Sequence, residues 1–163
     1  MIKYRIKLTV MTITISIEQH HSLADCVPAD AALIRHAMDA SNNAYVPYSH
    51  FKVGAAALLA NGEVITGCNQ ENAAYPSGLC AERVALFAAG ARFPDVAVKA
   101  LAIVAQDETR FTPQPAYPCG ACRQVMLEVE RRGGSPLKVI MAGAEKIEIV
   151  QRSKDLLPLQ FDF

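Results

Sequence analysis

Three cysteines at the starts of two predicted helices constrain the fold of this chain more than any other feature. Cys80 comes directly before an alanine-rich helical segment, and Cys119 and Cys122 open a second helical segment. Because residues three apart on a helix lie on the same side, the sulfurs of Cys119 and Cys122 can face one ion. The free N–H groups and the dipole at a helix start favour the thiolate form that zinc requires. A single zinc site built from these cysteines would bring the two helix starts together.

Glu82 is a candidate catalytic residue beside the predicted metal ligands. Three protein ligands leave one coordination position of zinc free, which is the pattern of catalytic sites, whereas structural sites use four ligands. Glu82 lies two positions after Cys80, so its carboxylate can reach a water at the free position and relay the proton of that water. Without Glu82, the Cys119–Cys122 pair would suit a structural zinc site or a redox pair equally well.

Hydrophobic periodicity predicts an α/β fold with the element order α-β-β-α-β-α-β-β. The Asn61-Gly62 pair between two apolar strands is a strong hairpin signal. Only residues 142–145 separate the last two strands, so these should be antiparallel. We therefore expect a three-layer α/β/α sandwich on a mixed five-stranded sheet. The first helix should follow Pro28, two more should span residues 80–91 and 119–132, and strands should span 53–59, 64–68, 98–105, 137–141 and 146–150.

Composition excludes several other classes of protein. The 163-residue chain is 52% hydrophobic, which is enough for one core and argues against general disorder. The chain has as many lysine and arginine residues as aspartate and glutamate residues, so it lacks the excess of positive charge that is typical of proteins that bind nucleic acid. No apolar run in the sequence is long enough to cross a membrane. The cysteine spacing suits a metal better than disulfides, and we expect a cytoplasmic protein.

Further motifs surround the cysteines in a consistent order. They are Phe51-x-Val53-Gly54-Ala55-Ala56, Gly67-Cys68-Asn69-x-Glu71-Asn72-Ala73, Cys80-Ala81-Glu82-Arg83, Pro118-Cys119-Gly120-Ala121-Cys122-Arg123-Gln124 and Leu156-Leu157-Pro158-x-x-Phe161. Together they resemble the cytidine deaminase family in its small, homotetrameric, zinc-dependent form, over roughly residues 28–161. The resemblance implies a cytidine deaminase-like catalytic domain over residues 25–163. Residues 1–24 would be an N-terminal extension, either disordered or an edge strand.

The resemblance also implies a reaction and a metal. The reaction would be hydrolytic deamination of cytidine and deoxycytidine to uridine and deoxyuridine, with release of ammonia, in pyrimidine salvage. Cys80, Cys119 and Cys122 would hold one zinc ion per chain. Glu82 would be the catalytic residue that shuttles protons between the attacking water, ring N3 and the departing amine. Arg83 would donate to the thiolates and offset their charge.

Substrate binding follows from the same resemblance. Asn69 and Glu71 would hydrogen-bond the ribose hydroxyls, Phe51 would pack against the base, and the N–H of Ala81 would meet the base carbonyl. In a homotetramer with sites completed in trans, Tyr75 and Phe161 would reach into the pocket of a neighbouring subunit. No nucleic acid and no membrane would be involved.

The sequence departs from the family pattern before the second cysteine motif. The segment 110–116 looks longer than the loop usually found there, and Tyr117 replaces a small residue. Because this loop leads directly to Cys119, the resemblance alone does not fix the substrate preference.

Two other readings stay open at this point. A related deaminase could act on another small substrate, such as blasticidin S, or on a base in a polynucleotide. Polynucleotide editors typically use His-x-Glu where this chain has Cys80-Ala81-Glu82, and they need a basic groove. The chain could also be a zinc-stabilised binding module without activity, which would leave Glu82, Asn69 and Glu71 without a common purpose.

Overall fold

A computed structural model describes residues 9–161 of the chain. Within this range, six strands form one mixed sheet in the order β1-β6-β5-β4-β2-β3. The strands are β1 Glu18–His20, β2 Lys52–Leu59, β3 Val64–Cys68, β4 Val98–Gln106, β5 Lys138–Ala142 and β6 Ile147–Val150. The α-helices are α1 Pro28–Ser41, α2 Ala81–Arg92 and α3 Gly120–Gly133, and none of them is long and apolar enough to cross a membrane.

The helices cover both faces of the sheet. Helix α1 packs on one face, and α2 and α3 pack on the other, so two clusters of buried apolar side chains enclose the sheet. Strand β2 shows the alternation directly, because Ala55 and Ala57 belong to the cluster under α2 and α3 while Ala56 belongs to the cluster under α1. The three-layer α/β/α sandwich predicted from the sequence is therefore confirmed.

The expected number of strands was wrong, since the described sheet has six strands rather than five. The additional strand is β1, which pairs antiparallel with β6 and places Glu18 opposite Ile149. Residues 9–17, in which Ile13, Ile15 and Ile17 alternate with polar residues, form no regular element. Strand β1 forms just after them because β6 would otherwise present unpaired backbone N–H and C=O groups along its outer side.

Strand directions follow the sequence predictions. Strands β2 and β3 form an antiparallel hairpin, and Gly62 in its turn has a φ of 89°, which glycine adopts readily. Strands β5 and β6 are antiparallel, as the short connection between them requires. The parallel pair is β4 and β5, and α3 forms the crossover between them. Because β3 leads to α2 and β4 leads to α3 on the same face, the sheet brings the starts of both helices together.

Candidate metal centre and adjoining cleft

The three cysteines predicted as metal ligands lie together where α2 and α3 begin. Cys80 and Cys119 are the N-cap residues of the two helices, and Cys122 is in the first turn of α3. The sulfurs of Cys119 and Cys122 are 3.5 Å apart, those of Cys80 and Cys119 are 3.9 Å apart, and all three lie within 4.8 Å of one another. Tetrahedral zinc with Zn–S bonds of about 2.3 Å separates its sulfurs by about 3.8 Å. The donor set therefore fits zinc in both chemistry and spacing.

Hydrogen bonds among these groups stabilise negative charge on sulfur. The Cys122 thiol donates to Cys80, and Nη2 of Arg83 lies 3.7 Å from the Cys80 sulfur. These two contacts hold the pKa of Cys80 well below its ordinary value, the Cys122 hydrogen bond being the larger cause. Cys122 has a raised pKa because it keeps the proton that it donates and because it is buried. The centre thus favours a thiolate beside a fixed guanidinium.

Glu82 lies directly against the thiols. It is the second residue of α2 and is 4% exposed. Burial raises the pKa of its carboxyl, and the negative charge of Cys80 adds to that effect. A carboxyl with a raised pKa gives up and regains a proton closer to neutral pH, which is what proton transfer in catalysis requires.

An open cleft of about 460 Å³ adjoins the cysteines. Among the side chains that line it are Asn69, Glu71, Tyr75, Cys80 and Arg83. A cavity of this volume is within the usual range for a small-molecule site. Three of the predicted substrate-binding residues therefore share one cleft with a predicted metal ligand and its arginine partner.

Glu71 and Asn69 also hold the loop that leads into β2. The Oε2 atom of Glu71 accepts the N–H groups of Tyr48 and Ser49 at 2.9 and 3.2 Å. A hydrogen bond from the Ser49 hydroxyl, together with these N–H groups, keeps the pKa of Glu71 below its usual value. The side chain of Asn69 accepts from the N–H of Val53 at 2.8 Å and donates to the backbone carbonyl of residue 51 at 2.9 Å.

The remaining predicted substrate residues differ in their placement. Ala81 is fully buried as the first residue of α2, between Cys80 and Glu82. Phe51 is outside the lining of the cleft and faces a neighbouring depression. Tyr75 is 76% exposed at the rim, and Phe161 is 67% exposed in the C-terminal segment. The structure thus brings Asn69, Glu71 and Tyr75 to the cleft, whereas Phe51 and Phe161 remain apart from it.

Some residues that shape the site were not assigned from the sequence. Tyr48 packs edge-to-face on Tyr75, with ring centroids 6.2 Å apart, and its N–H binds Glu71. The Arg123 guanidinium donates to the carbonyls of Pro118 and Leu156 at 2.8 and 3.0 Å. It thereby ties the turn before Cys119 to the C-terminal segment. The position of Arg123 directly after Cys122 was the available signal for this role.

Comparisons with known proteins agree with this geometry. Residues 28–133 match the family model for the cytidine and deoxycytidylate deaminase zinc-binding region. A cytidine deaminase of Halalkalibacterium halodurans is 52% identical over 100 residues, which are 60% of this chain and 69% of that relative. The crystal structure of the Burkholderia pseudomallei cytidine deaminase matches with a TM-score of 0.68 at 42% identity, over 80% of this chain and 97% of that one. The Mycobacterium tuberculosis cytidine deaminase matches with a TM-score of 0.65 at 38% identity, over 85% of this chain and 100% of that one.

Proposed function

This chain belongs to the cytidine and deoxycytidylate deaminase family, and on that premise we propose that it is a zinc-dependent cytidine deaminase. The reaction is hydrolytic deamination of cytidine and deoxycytidine to uridine and deoxyuridine, with release of ammonia, as in pyrimidine salvage. The observation that carries this proposal is the buried Glu82 carboxyl beside three clustered cysteine sulfurs. A binding module would have no use for a buried carboxyl at that position.

Cys80, Cys119 and Cys122 are the proposed ligands of one zinc ion per chain. Zinc held there supplies the Lewis acidity that makes water a nucleophile near neutral pH. Three thiolates and a divalent cation together carry one negative charge, and the guanidinium of Arg83 offsets it from 3.7 Å. Arginine at this position therefore allows three thiolates to coexist at the edge of a buried core.

Glu82 moves the protons of the reaction. Its carboxylate takes a proton from the attacking water as the oxygen forms a bond to C4 of the base, and it passes that proton to ring N3. It then takes the second proton of the water and delivers it to the amino group, which leaves as ammonia when the C4–N bond breaks. The raised pKa of Glu82 suits both directions of transfer.

Substrate binding uses the cleft beside the metal centre. The two backbone hydrogen bonds of Glu71 both use Oε2, and each carboxylate oxygen has two lone pairs, so Oε1 retains a lone pair for a ribose hydroxyl. The amide of Asn69 keeps a second proton and a second lone pair for the same sugar. Ala81 is at the first position of α2, where helix N–H groups lack partners within the helix, so its N–H can meet the base carbonyl. Phe51 lies in the neighbouring depression, which shares Ser49 with the cleft, and it would pack against the base from that side.

Neighbouring chains complete the site. Tyr75 and Phe161 are large aromatic side chains that expose most of their surface in the single chain. In a homotetramer with closed symmetry, each would enter the pocket of another subunit and exclude water from the base. The exposure of these two residues supports this arrangement.

The wider assignment follows from the same activity. Residues 25–163 form the catalytic domain, and residues 1–24 are an N-terminal extension. The protein acts in the cytoplasm, where reducing conditions keep cysteine thiols available for a metal. Its partners are small nucleosides and further copies of itself, and neither a nucleic acid nor a membrane takes part.

A substrate panel combined with metal analysis tests this function. We expect the zinc-loaded protein to deaminate cytidine and deoxycytidine in an ultraviolet assay and to leave blasticidin S and cytosine unchanged. Cys119→Ser should lose zinc, whereas Cys26→Ala is the matched control because Cys26 is in a different buried cluster. X-ray absorption should show three sulfurs and one lighter ligand, and a shell of four sulfurs would contradict a catalytic site.

A further inference from the structure

Tyr117 connects the segment before Cys119 to a buried carboxylate at the edge of the sheet. Its hydroxyl donates to Oε2 of Glu148 at 2.7 Å. Glu148 is in β6 and is 3% exposed. Its other oxygen, Oε1, accepts Nε2 of Gln19 at 2.9 Å and forms an ion pair with Lys146. Since a buried carboxylate is costly unless donors surround it, these contacts form one interdependent group.

The loop before Tyr117 rests on the turn between β5 and β6. The N–H of Ala144 donates to the carbonyl of Thr112 at 2.8 Å, and the N–H of Glu145 donates to the carbonyl of Pro113 at 3.0 Å. At Gly143 the two backbones approach so closely that an added Cβ would lie 2.4 Å from the Pro113 carbonyl oxygen. The loop is therefore anchored at its beginning by backbone contacts and at its end by Tyr117.

Cys119 is constrained by burial less than the other two cysteines are. It is exposed, whereas Cys122 is buried within α3 and Cys80 is half-buried. Because Cys119 is the N-cap residue, its backbone precedes the hydrogen-bonded part of the helix, and only Pro118 separates it from Tyr117. Arg123 fixes the carbonyl of Pro118 from the helix side. The Tyr117 hydroxyl fixes the chain to β6 through Glu148.

We propose that Tyr117 and Glu148 are positioning residues for the metal centre, and that their hydrogen bond holds the sulfur of Cys119 within reach of the other two ligands. This inference rests on the proposed role of Cys119 as a metal ligand. Gln19 extends the same chain of contacts, because it lies opposite Glu148 in the pairing of β1 with β6. The N-terminal strand thus supports the metal centre through Glu148 without touching a ligand.

The rate of zinc release distinguishes a role of Tyr117 in positioning Cys119 from a role in the general stability of the fold. Tyr117→Phe removes the hydroxyl and keeps the ring, and Tyr45→Phe is the matched control because the hydroxyl of Tyr45 has no hydrogen bond among the described residues. When zinc-loaded protein is mixed with a chromogenic chelator well below its unfolding temperature, we expect Tyr117→Phe to release zinc about tenfold faster, at the lower end of the effect of losing a partner of a metal ligand. In the cobalt-substituted protein, the thiolate-to-cobalt absorption should change in Tyr117→Phe and stay constant in Tyr45→Phe.

Glu148→Gln tests whether the two residues act as a unit. The double variant Tyr117→Phe/Glu148→Gln should release zinc no faster than the faster single variant, because Tyr117→Phe removes the hydrogen bond that Glu148→Gln weakens by removing the charge of its acceptor. If Tyr117→Phe lowers the melting temperature but leaves zinc release and the cobalt spectrum unchanged, Tyr117 is merely structural and the inference is wrong, while the proposed function stands. If the unmodified protein fails to bind zinc, the proposed function and this inference both fail.

Discussion

Helix starts build the metal half of the site, whereas loops build the half that we propose for binding the sugar and the base. In the metal half, Glu82 is 4% exposed and Cys122 is fully buried, so one chain completes the arrangement. Tyr75 and Phe161, which we propose to complete the other half in a neighbouring subunit, remain mostly exposed. Packing within the sandwich therefore fixes the groups of the metal half, whereas the proposed substrate half depends on exposed loops.

Substrate discrimination should give the largest effect, and it tests the loop half alone. We expect kcat/KM for free cytosine to be lower than for cytidine by about 10⁴-fold or more. Asn69 and Glu71 would be left without a hydroxyl partner, and a site built to bind a hydroxyl strongly penalises its absence. An ultraviolet assay with both substrates measures the ratio. Glu71→Gln should lower kcat/KM for cytidine but not for cytosine, so the ratio between the two values should become smaller. Similar kcat/KM values for cytosine and cytidine in the unmodified protein would contradict the sugar-binding roles of Asn69 and Glu71.

Glu82→Gln tests the metal half and should give the next largest effect. Turnover should fall toward the upper end of the range of about 10²–10⁴-fold, or beyond it, because the amide cannot carry protons and Glu82 acts more than once per cycle. Zinc content and the circular dichroism spectrum should stay unchanged, since Gln has nearly the same shape. Normal turnover in this variant would remove Glu82 from the mechanism.

Phe161→Ala tests whether the loop half is completed by another chain. We expect kcat/KM to fall about tenfold, because stacking of an aromatic side chain on a base contributes about 1–3 kcal/mol. Glu82→Ala and Phe161→Ala proteins that are unfolded and reassembled together with zinc should regain activity, because an intact Glu82 can then meet an intact Phe161 from another chain. Each variant refolded alone is the control. No recovery in the mixture, or a monomer by light scattering, would place Phe161 in the site of its own chain or in none.

The smallest effect should come from Glu148, which supports the metal half from a distance. Burial raises the pKa of Glu148, but the Lys146 ammonium and the hydrogen bonds from Tyr117 and Gln19 outweigh burial and hold the pKa below its ordinary value of 4.5. The stabilisation is therefore present above that pH and is lost as the pH falls through the pKa of the folded state. At pH 7 we expect Glu148→Gln to lower the free energy of unfolding by about 1 kcal/mol.

Urea unfolding at pH 7 and about pH 4 measures this contribution. The difference between the unmodified protein and Glu148→Gln should shrink at the lower pH, as protonation removes the charge from the unmodified protein too. Glu63→Gln, at an exposed position before β3, is the matched control. If the difference in free energy of unfolding between the unmodified protein and Glu148→Gln stays constant across this pH range, the charge of Glu148 does not contribute to stability.

The same contrast explains what could be predicted from the sequence. The metal half could be predicted because it depends on residues that are close together in the sequence. These are the helix starts, two cysteines three positions apart, and a carboxylate two positions after Cys80. Helix α2 begins one residue after Cys80, so the expected placement at a helix start was accurate. The Asn61-Gly62 turn was readable for the same reason, since two adjacent residues determine its geometry.

Contacts between distant segments could not be read from the sequence in this way. The hydrogen bonds that Glu71 and Asn69 accept from the N–H groups of Tyr48 and Val53 depend on how distant segments of the chain meet in the fold. The Tyr117–Glu148 contact depends on the position of β6, and a tyrosine beside a cysteine motif gives no indication of its partner. Strand β1 was missed in the count because its pairing depends on an edge formed by the last strand.

That last pairing has a consequence for the order in which the protein folds. Gln19 and Glu148 are separated by 129 positions, so the contact closes a very long loop and gains little until the intervening sheet exists. During synthesis, residues 18–20 leave the ribosome early and have no partner until β6 follows near the end of translation. We therefore expect amide protons in β1 to exchange fastest among the strands. The first of the described strands to be synthesised is then the last to join the sheet.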